Sequence, residues 1–312
     1  MDATPTSRAV GLAAPLGFAL PSEMGVLGPL LGKARGKRWP AGTEGSSFAV
    51  CRSLSAPYSV IAPKQSLGQN FLRDPNTIRR IADAVQAAPG PDAPVVEIGP
   101  GTGALTAALL ERYPRLVALE VDDRAVAHLR GALPELDVRH QDVLQTDWAA
   151  LASERGGRLF VVGNLPYYIT SPILFGLVDQ RASIAEATVM MQREVAERLV
   201  AVPRTKAYGI LSVVFQRYCD VQLLFKVPPT VFFPRPTVDS AVVRLTFRAD
   251  APPLSPEEDR YRVLVRAAFN QRRKMLRKAL AAFGTVPEPW ATKRAEELTG
   301  DDFEALSRAL PA

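Results

Sequence analysis

Short apolar runs alternate with amphipathic stretches through the middle of the chain, and that alternation predicts a layered α/β fold. Residues 94–98, 115–120, 136–140, 160–163 and 187–192 read as strands, while 102–111 and 125–133 read as helices between them. Asp74 followed by Pro75 is a helix start, with a side-chain acceptor at the N-cap and a proline at the first helical position, and predicts a helix to about Ala87. Strands that alternate with helices imply a doubly wound, mainly parallel sheet with helices on both faces. Residues 221–227 and 240–247 read as later strands, forming an antiparallel hairpin at the sheet edge.

The pattern changes after Arg248. Pro252, Pro253 and Pro256 mark a linker over 249–256, and the periodicity beyond it predicts helices over 258–283, 289–297 and 301–309. The expected organisation is an α/β domain over 58–248 and a small all-α domain over 249–312. Residues 1–57 stand apart: they contain fourteen Gly or Pro and sustain no apolar period, so a disordered extension is expected there. They lack the plan of a secretory signal.

Composition narrows the class. Apolar residues make up 47% and charged residues 22% of 312, an ordinary globular balance. No apolar stretch reaches the roughly 18 to 20 residues that span a membrane, so no membrane partner is expected. Two cysteines and two histidines are too few for a disulfide framework or a metal cluster. Free thiols suit a reducing compartment and make the cytoplasm the expected location, with an organelle the alternative if residues 1–57 are a transit peptide. The net charge of +6 says less than its distribution. Arg262, Arg266, Arg272, Arg273, Lys274, Arg277 and Lys278 fall within 262–278 with no acidic residue among them. A solvated helix face is the plain reading; contact with a phosphate backbone is preferred, because uncompensated charges repel unless neutralised. On one continuous helix Arg266, Arg273 and Arg277 would share a stripe.

Glu97-Ile98-Gly99-Pro100-Gly101-Thr102-Gly103 follows a predicted strand and opens a helix. Gly99 and Gly101 let the backbone pass close to a ligand. Glu120 ends the next strand, placed for ribose hydroxyls, and Gln141-Asp142 follows the third strand, placed for an adenine amino group. A dinucleotide would bring a pyrophosphate beside Glu97 and be repelled; a sulfonium or ammonium would be attracted. S-adenosylmethionine is therefore the expected cofactor.

Asn164-Leu165-Pro166-Tyr167 follows the apolar run 159–162. An amide oxygen and backbone carbonyls accept amine hydrogens, and a tyrosine face takes a planar ring. Acceptors aimed at an adenine amine favour the pyramidal, attacking nitrogen of the transition state. Asn-X-Pro also makes ordinary turns, so the four residues carry weight only with the rest of the chain.

Five motifs in order supply that weight: Lys64-Gln65-Ser66-Leu67-Gly68-Gln69-Asn70-Phe71-Leu72, the 97–103 loop, Asn164 to Tyr167, Phe232-Phe233-Pro234-Arg235-Pro236-Thr237-Val238-Asp239-Ser240, and Phe269-Asn270-Gln271-Arg272-Arg273-Lys274. Over about 64–309 the chain resembles the ribosomal RNA adenine dimethyltransferases, which methylate two adjacent adenosines near the 3′ end of small-subunit RNA. The resemblance implies a Rossmann-like class I methyltransferase sheet and a helical C-terminal domain. It implies cofactor contacts at Asn70, Leu72, Gly99, Glu120, Asp142 and Asn164. The implied partner is the small ribosomal subunit and its RNA, met by a monomeric enzyme. RNA contacts are expected at Arg266, Arg272, Arg273, Lys274, Arg277 and Lys278.

The expected reaction is in-line attack of the adenine amine on the sulfonium methyl. The Asn164 side-chain oxygen and the Leu165 carbonyl accept the amine hydrogens, Pro166 fixes the turn, and Tyr167 stacks on the base. One of Phe232 and Phe233 closes the other side. Large-subunit RNA methyltransferases share the Asn-X-Pro-Tyr chemistry. A DNA adenine methyltransferase more typically carries Asp-Pro-Pro-Tyr. A ribosome-assembly factor that keeps the fold without turnover is the alternative from a different class.

Overall fold

In a computed structural model, residues 61–64 and 67–311 are described; the extension expected over 1–57 and the Gln65-Ser66 pair lie outside the described residues. The elements follow in the order β1 (Phe71–Leu72), α1 (Pro75–Ala84), β2 (Val95–Ile98), α2 (Ala104–Leu110), β3 (Val117–Glu120), α3 (Asp123–Ala132) and β4 (Asp137–His140). Next come α4 (Trp148–Glu154), β5 (Leu159–Asn164), α5 (Thr170–Asp179), β6 (Ile184–Gln192), α6 (Arg193–Leu199) and α7 (Ile210–Tyr218). The chain closes with β7 (Cys219–Val227), β8 (Phe232–Phe233), β9 (Ser240–Phe247), α8 (Pro256–Asn270), α9 (Leu276–Ala279) and α10 (Gly300–Ala309).

Helix α1 starts where its cap demands, with the Asp74 carboxylate accepting from Thr77 N at 2.8 Å. It stops at Ala84, short of the expected Ala87, because Val85 turns to extended backbone and buries its side chain.

Seven strands form one sheet in the order β4-β3-β2-β5-β6-β9-β7. The first five are parallel, and β9 runs antiparallel between β6 and β7. The expected edge hairpin is thus present, with β9 inserted one position inward. Strands β2 and β5 come close at Ile98 opposite Gly163, where an added Cβ would stand 2.5 Å from the Ile98 carbonyl oxygen. A separate short ladder pairs β1 with β8, Phe71 opposite Phe233 and Leu72 opposite Phe232.

One apolar cluster packs Val161, Leu177 and Phe215 with Tyr261, Leu264 and Phe303. The other packs Ile81, Leu109 and Leu129. The first core therefore continues from the sheet into α8 and α10, and the described residues belong to one compact unit. The expected boundary at 248/249 marks a change of secondary-structure class, not a break in the core. Arg217 seals it, bonding Glu258 on α8 at 2.5 and 2.8 Å and Glu304 on α10 at 3.0 Å.

Two expectations about the C-terminal region are corrected. Residues 258–283 are not one helix: α8 ends at Asn270, a turn follows, and α9 has only four residues. Tertiary bonds outweigh helical periodicity there, with Leu276 N donating to Lys293 O at 2.8 Å and Arg272 bonded to Glu296 at 2.7 Å. Residues 289–297 form turns and a three-residue 3₁₀ segment rather than a helix.

Candidate active site

The strand order reverses between β2 and β5, so the loops leaving their carboxyl ends open a crevice. The loop after β2 carries Gly99, Gly101 and Gly103, all at positive φ (65°, 55° and 82°). A Cβ on Gly101 would stand 2.9 Å from the Phe71 ring, so only glycine lets the loop pass beneath β1. Gly99, Gly101, Asn70, Glu120, Asp142 and Asn164 line one cleft.

Three carboxylates line this cleft in different states. Glu120, at the end of β3, is buried and accepts from Val121 N and Asp122 N at 2.9 Å each and from Gly101 N at 3.0 Å. Burial pushes its pKa up, and these backbone bonds oppose the shift. Its Oε2 retains acceptor capacity toward a sugar hydroxyl. Asp142 follows β4 and turns the chain with its own side chain, Oδ1 accepting from Leu144 N at 2.9 Å. Glu97 is 1% exposed, and burial pushes its pKa up to about 8. Its Oε2 and the Thr106 hydroxyl both lack partners in hydrogen-bonding geometry, though the hydroxyl is near enough to favour the charged form. A buried carboxylate oxygen without a partner fits a cation. The unpartnered Glu97 oxygen, the spare acceptor capacity of Glu120 and the open glycine loop together fit S-adenosylmethionine.

At the end of β5 the Asn164 amide is oriented by the backbone across the cleft: Nδ2 donates to Asn70 O at 2.9 Å. That bond fixes which end of the amide is oxygen. Oδ1 is buried and has no partner. Pro166 O is engaged by Thr170 Oγ1 at 2.9 Å, which holds the turn. Tyr167 lines the cleft half-buried, its hydroxyl 2.6 Å from Ser240 Oγ, and burial pushes its pKa up.

Other expected residues need revision. Phe232 is 5% exposed and packs in the core with α1, its backbone paired to Leu72; it offers no free ring face. Phe233 is 46% exposed, directly opposite Phe71, with the Arg73 guanidinium 4.0 Å above its ring. Leu72 and Leu165 are buried in the wall of the cleft. Among the basic residues, Arg262 is bonded to Asp179 at 2.5 Å. Arg272 is withdrawn from RNA contact by Glu296 and by the carbonyls of Lys206 (2.9 Å) and Thr205 (3.0 Å). Arg266, Arg273, Lys274, Arg277 and Lys278 are exposed, but the Arg266–Arg273–Arg277 stripe does not exist because α8 ends before Arg273.

The sequence reading missed Ser240 and Asp122. Asp122 has no exposed side-chain surface and gathers Gln69 Nε2 (3.0 Å), Lys64 Nζ (3.3 Å) and Arg124 Nη2 (2.6 Å). These bonds hold its carboxyl well below the usual range, Arg124 first. Its side chain caps α3 by accepting from Arg124 N, a role its place before the helix suggests, but its distant partners leave no local signal. Among the described residues no group of His, Cys, Asp and Glu could hold a metal, and no helix is long and apolar enough to cross a membrane.

Comparison with known proteins bears on this geometry. A family model described as ribosomal RNA adenine dimethylase matches residues 62–299. A ribosomal RNA small subunit methyltransferase A from Salinibacter ruber is 52% identical over 289 residues, spanning 88% of this chain and 97% of its own length. One of the same name from Xanthomonas campestris is 45% identical over 266 residues, spanning 82% and 97%. Among solved structures, a dimethyladenosine transferase from Plasmodium falciparum superposes with a TM-score of 0.64 at 25% identity, covering 76% of this chain and 95% of its own. The 23S rRNA methyltransferase ErmE superposes at 0.59 and 29% identity, covering 77% and 99%.

Proposed function

We infer that this chain, which belongs to the ribosomal RNA adenine dimethylase family, uses S-adenosylmethionine to dimethylate the 6-amino groups of two adjacent adenosines in the 3′-terminal hairpin loop of small-subunit ribosomal RNA. The observation that carries this reading is the buried, unpartnered Oδ1 of Asn164, held in orientation by Asn70 O.

When bound, the cofactor supplies an electrophilic methyl group on a sulfonium. Glu120 would hold its ribose, Asp142 its adenine and Glu97 its ammonium. Asn164 Oδ1 accepts a hydrogen of the target amine, and the Leu165 carbonyl is the second acceptor. Both bonds strengthen as the nitrogen lone pair leaves ring conjugation, so they favour the transition state over the bound base. Tyr167 offers its face to the base, and Ser240 fixes that face. The methylated nitrogen is acidic enough to release its proton without a dedicated strong base.

The partner in this reading is an immature small ribosomal subunit, met by a monomer through the exposed Arg273, Lys274, Arg277 and Lys278. The cytoplasm is the proposed setting, where the free, buried Cys219, its thiol pushed up to about 12 by burial, stays reduced. The likeness to ErmE keeps large-subunit RNA as the rival substrate. Mass spectrometry separates the two: with immature small subunits and cofactor, dimethyladenosine should form in the 3′-terminal hairpin. Asn164→Ala should bind RNA nearly as before and form none. Methylation of large-subunit RNA alone would overturn the reading.

A further inference from the structure

A second basic surface lies on the α/β part of the chain, away from the C-terminal helices. Arg73 stands over the Phe233 ring at 4.0 Å, and Arg80 stands over the Phe225 ring at 3.9 Å. Arg73 lies just before the Asp74 cap of α1, and Arg80 lies within the helix. Arg79, Lys226 and Arg235 are exposed beside them in the chain. Among the described residues none of these five forms an ion pair. The nearby carboxylates are committed elsewhere: Asp74 caps α1 through Thr77, and Asp83 is bonded to Arg112 at 2.6 Å.

The sheet ties this surface to the cleft. Phe225 and Lys226 lie on the edge strand β7, opposite Val242 and Ala241 of β9. The next rung is Val227 opposite Ser240, whose hydroxyl meets Tyr167. At the other end of the patch, Phe233 faces Phe71, which lines the cleft. The surface thus starts where the target base would enter and runs outward along α1 and the sheet edge. Each stacked guanidinium keeps its N–H donors free while its position is fixed, so less freedom is lost when a phosphate binds.

We propose that Arg73 and Arg80, each seated on an aromatic ring, form a track for the RNA backbone flanking the target adenosine, with Arg235 beside Phe233 in the chain. A phosphate-bearing single strand is the partner that matches unpaired positive charge set beside aromatic faces. This rests on the reading of the cleft as a methyl-transfer site for RNA adenosine.

The test is the salt dependence of binding to a synthetic RNA hairpin with two adjacent adenosines in its loop. For the double variant Arg73→Gln/Arg80→Gln, the slope of log affinity against log salt should become shallower by about 0.7 to 0.9 for each phosphate no longer neutralised. Cofactor affinity and melting temperature should match the wild type. The double variant Phe225→Leu/Phe233→Leu keeps the charges and removes their seats; it should bind RNA more weakly with the wild-type slope. An unchanged slope in the arginine variant, or a lowered melting temperature with the slope intact, overturns the track. Wild-type protein that binds the hairpin but never methylates small-subunit RNA would instead overturn the proposed function.

Discussion

The hydroxyls of Tyr167 and Ser240 lie 2.6 Å apart, joining the turn after β5 to the first residue of β9. Ser240 is fully buried, so the bond sets the tilt of the tyrosine ring from inside the protein. Tyr167→Phe should keep the stacking face and lose little turnover. Tyr167→Ala should cost about 1 to 3 kcal/mol of base binding. Single-turnover methylation with each variant separates the ring from its tether; equal losses would mean that the tether to Ser240 matters as much as the ring.

Glu120→Ala removes the ribose acceptor and strands three backbone N–H groups that now end on its carboxylate. Cofactor affinity should fall by about 2 kcal/mol, roughly thirtyfold. Calorimetry on the folded variant checks this, and unchanged affinity would refute the ribose assignment.

Glu97 carries a pH signature. Its folded-state pKa of about 8 lies above the ordinary 4.5, so the folded protein holds a proton that the unfolded chain releases. Stability should therefore fall as pH rises from about 4.5 to about 8. A bound ammonium would reverse the shift, so cofactor binding near pH 6.5 should release about one proton. Calorimetry in buffers of different ionisation enthalpy reads this release, and Glu97→Gln should abolish it.

Asp122 couples two walls of the cleft: its backbone N–H bonds Glu120 and its carboxylate bonds Gln69 and Lys64. Asp122→Asn keeps the α3 cap, since Asn caps as well as Asp, but loses the charge that gathers Lys64. We expect weaker cofactor binding by about threefold to tenfold with little change in melting temperature. Lys64→Met should reproduce it, and Lys64→Arg should not. Wild-type affinity in both Asp122→Asn and Lys64→Met would leave Asp122 as a helix cap alone.

Arg272 and its neighbours should part company. Arg272→Ala breaks the bond to Glu296 and two carbonyl bonds, and should lower the melting temperature while leaving the salt slope of RNA binding intact. Arg273→Gln/Arg277→Gln should do the reverse.

Legibility followed distance along the chain. The grouping of the cleft residues was readable because each sits at or just after the end of a parallel strand, where topology alone brings Gly99, Glu120, Asp142 and Asn164 together. Helices α4, α5, α6 and α7 went unread: α4 and α6 have seven residues each, and α5 is too evenly apolar to show a period. The break after Asn270 was invisible because it is made by Glu296 and Lys293, not by any local breaker. Burial of Phe232 and exposure of Phe233 follow from pairing with β1, which no local pattern announces.

That pairing has a consequence for the birth of the enzyme. The wall bearing Asn70 belongs to the start of the chain, yet its strand is held by Phe232–Phe233, and the aromatic face at Tyr167 waits for Ser240. A ribosome making this protein must therefore deliver both late segments before the cleft closes. Closing such long loops costs chain entropy and slows folding. A nascent chain that already contains every glycine and carboxylate of the cofactor cleft is still without methyltransferase activity.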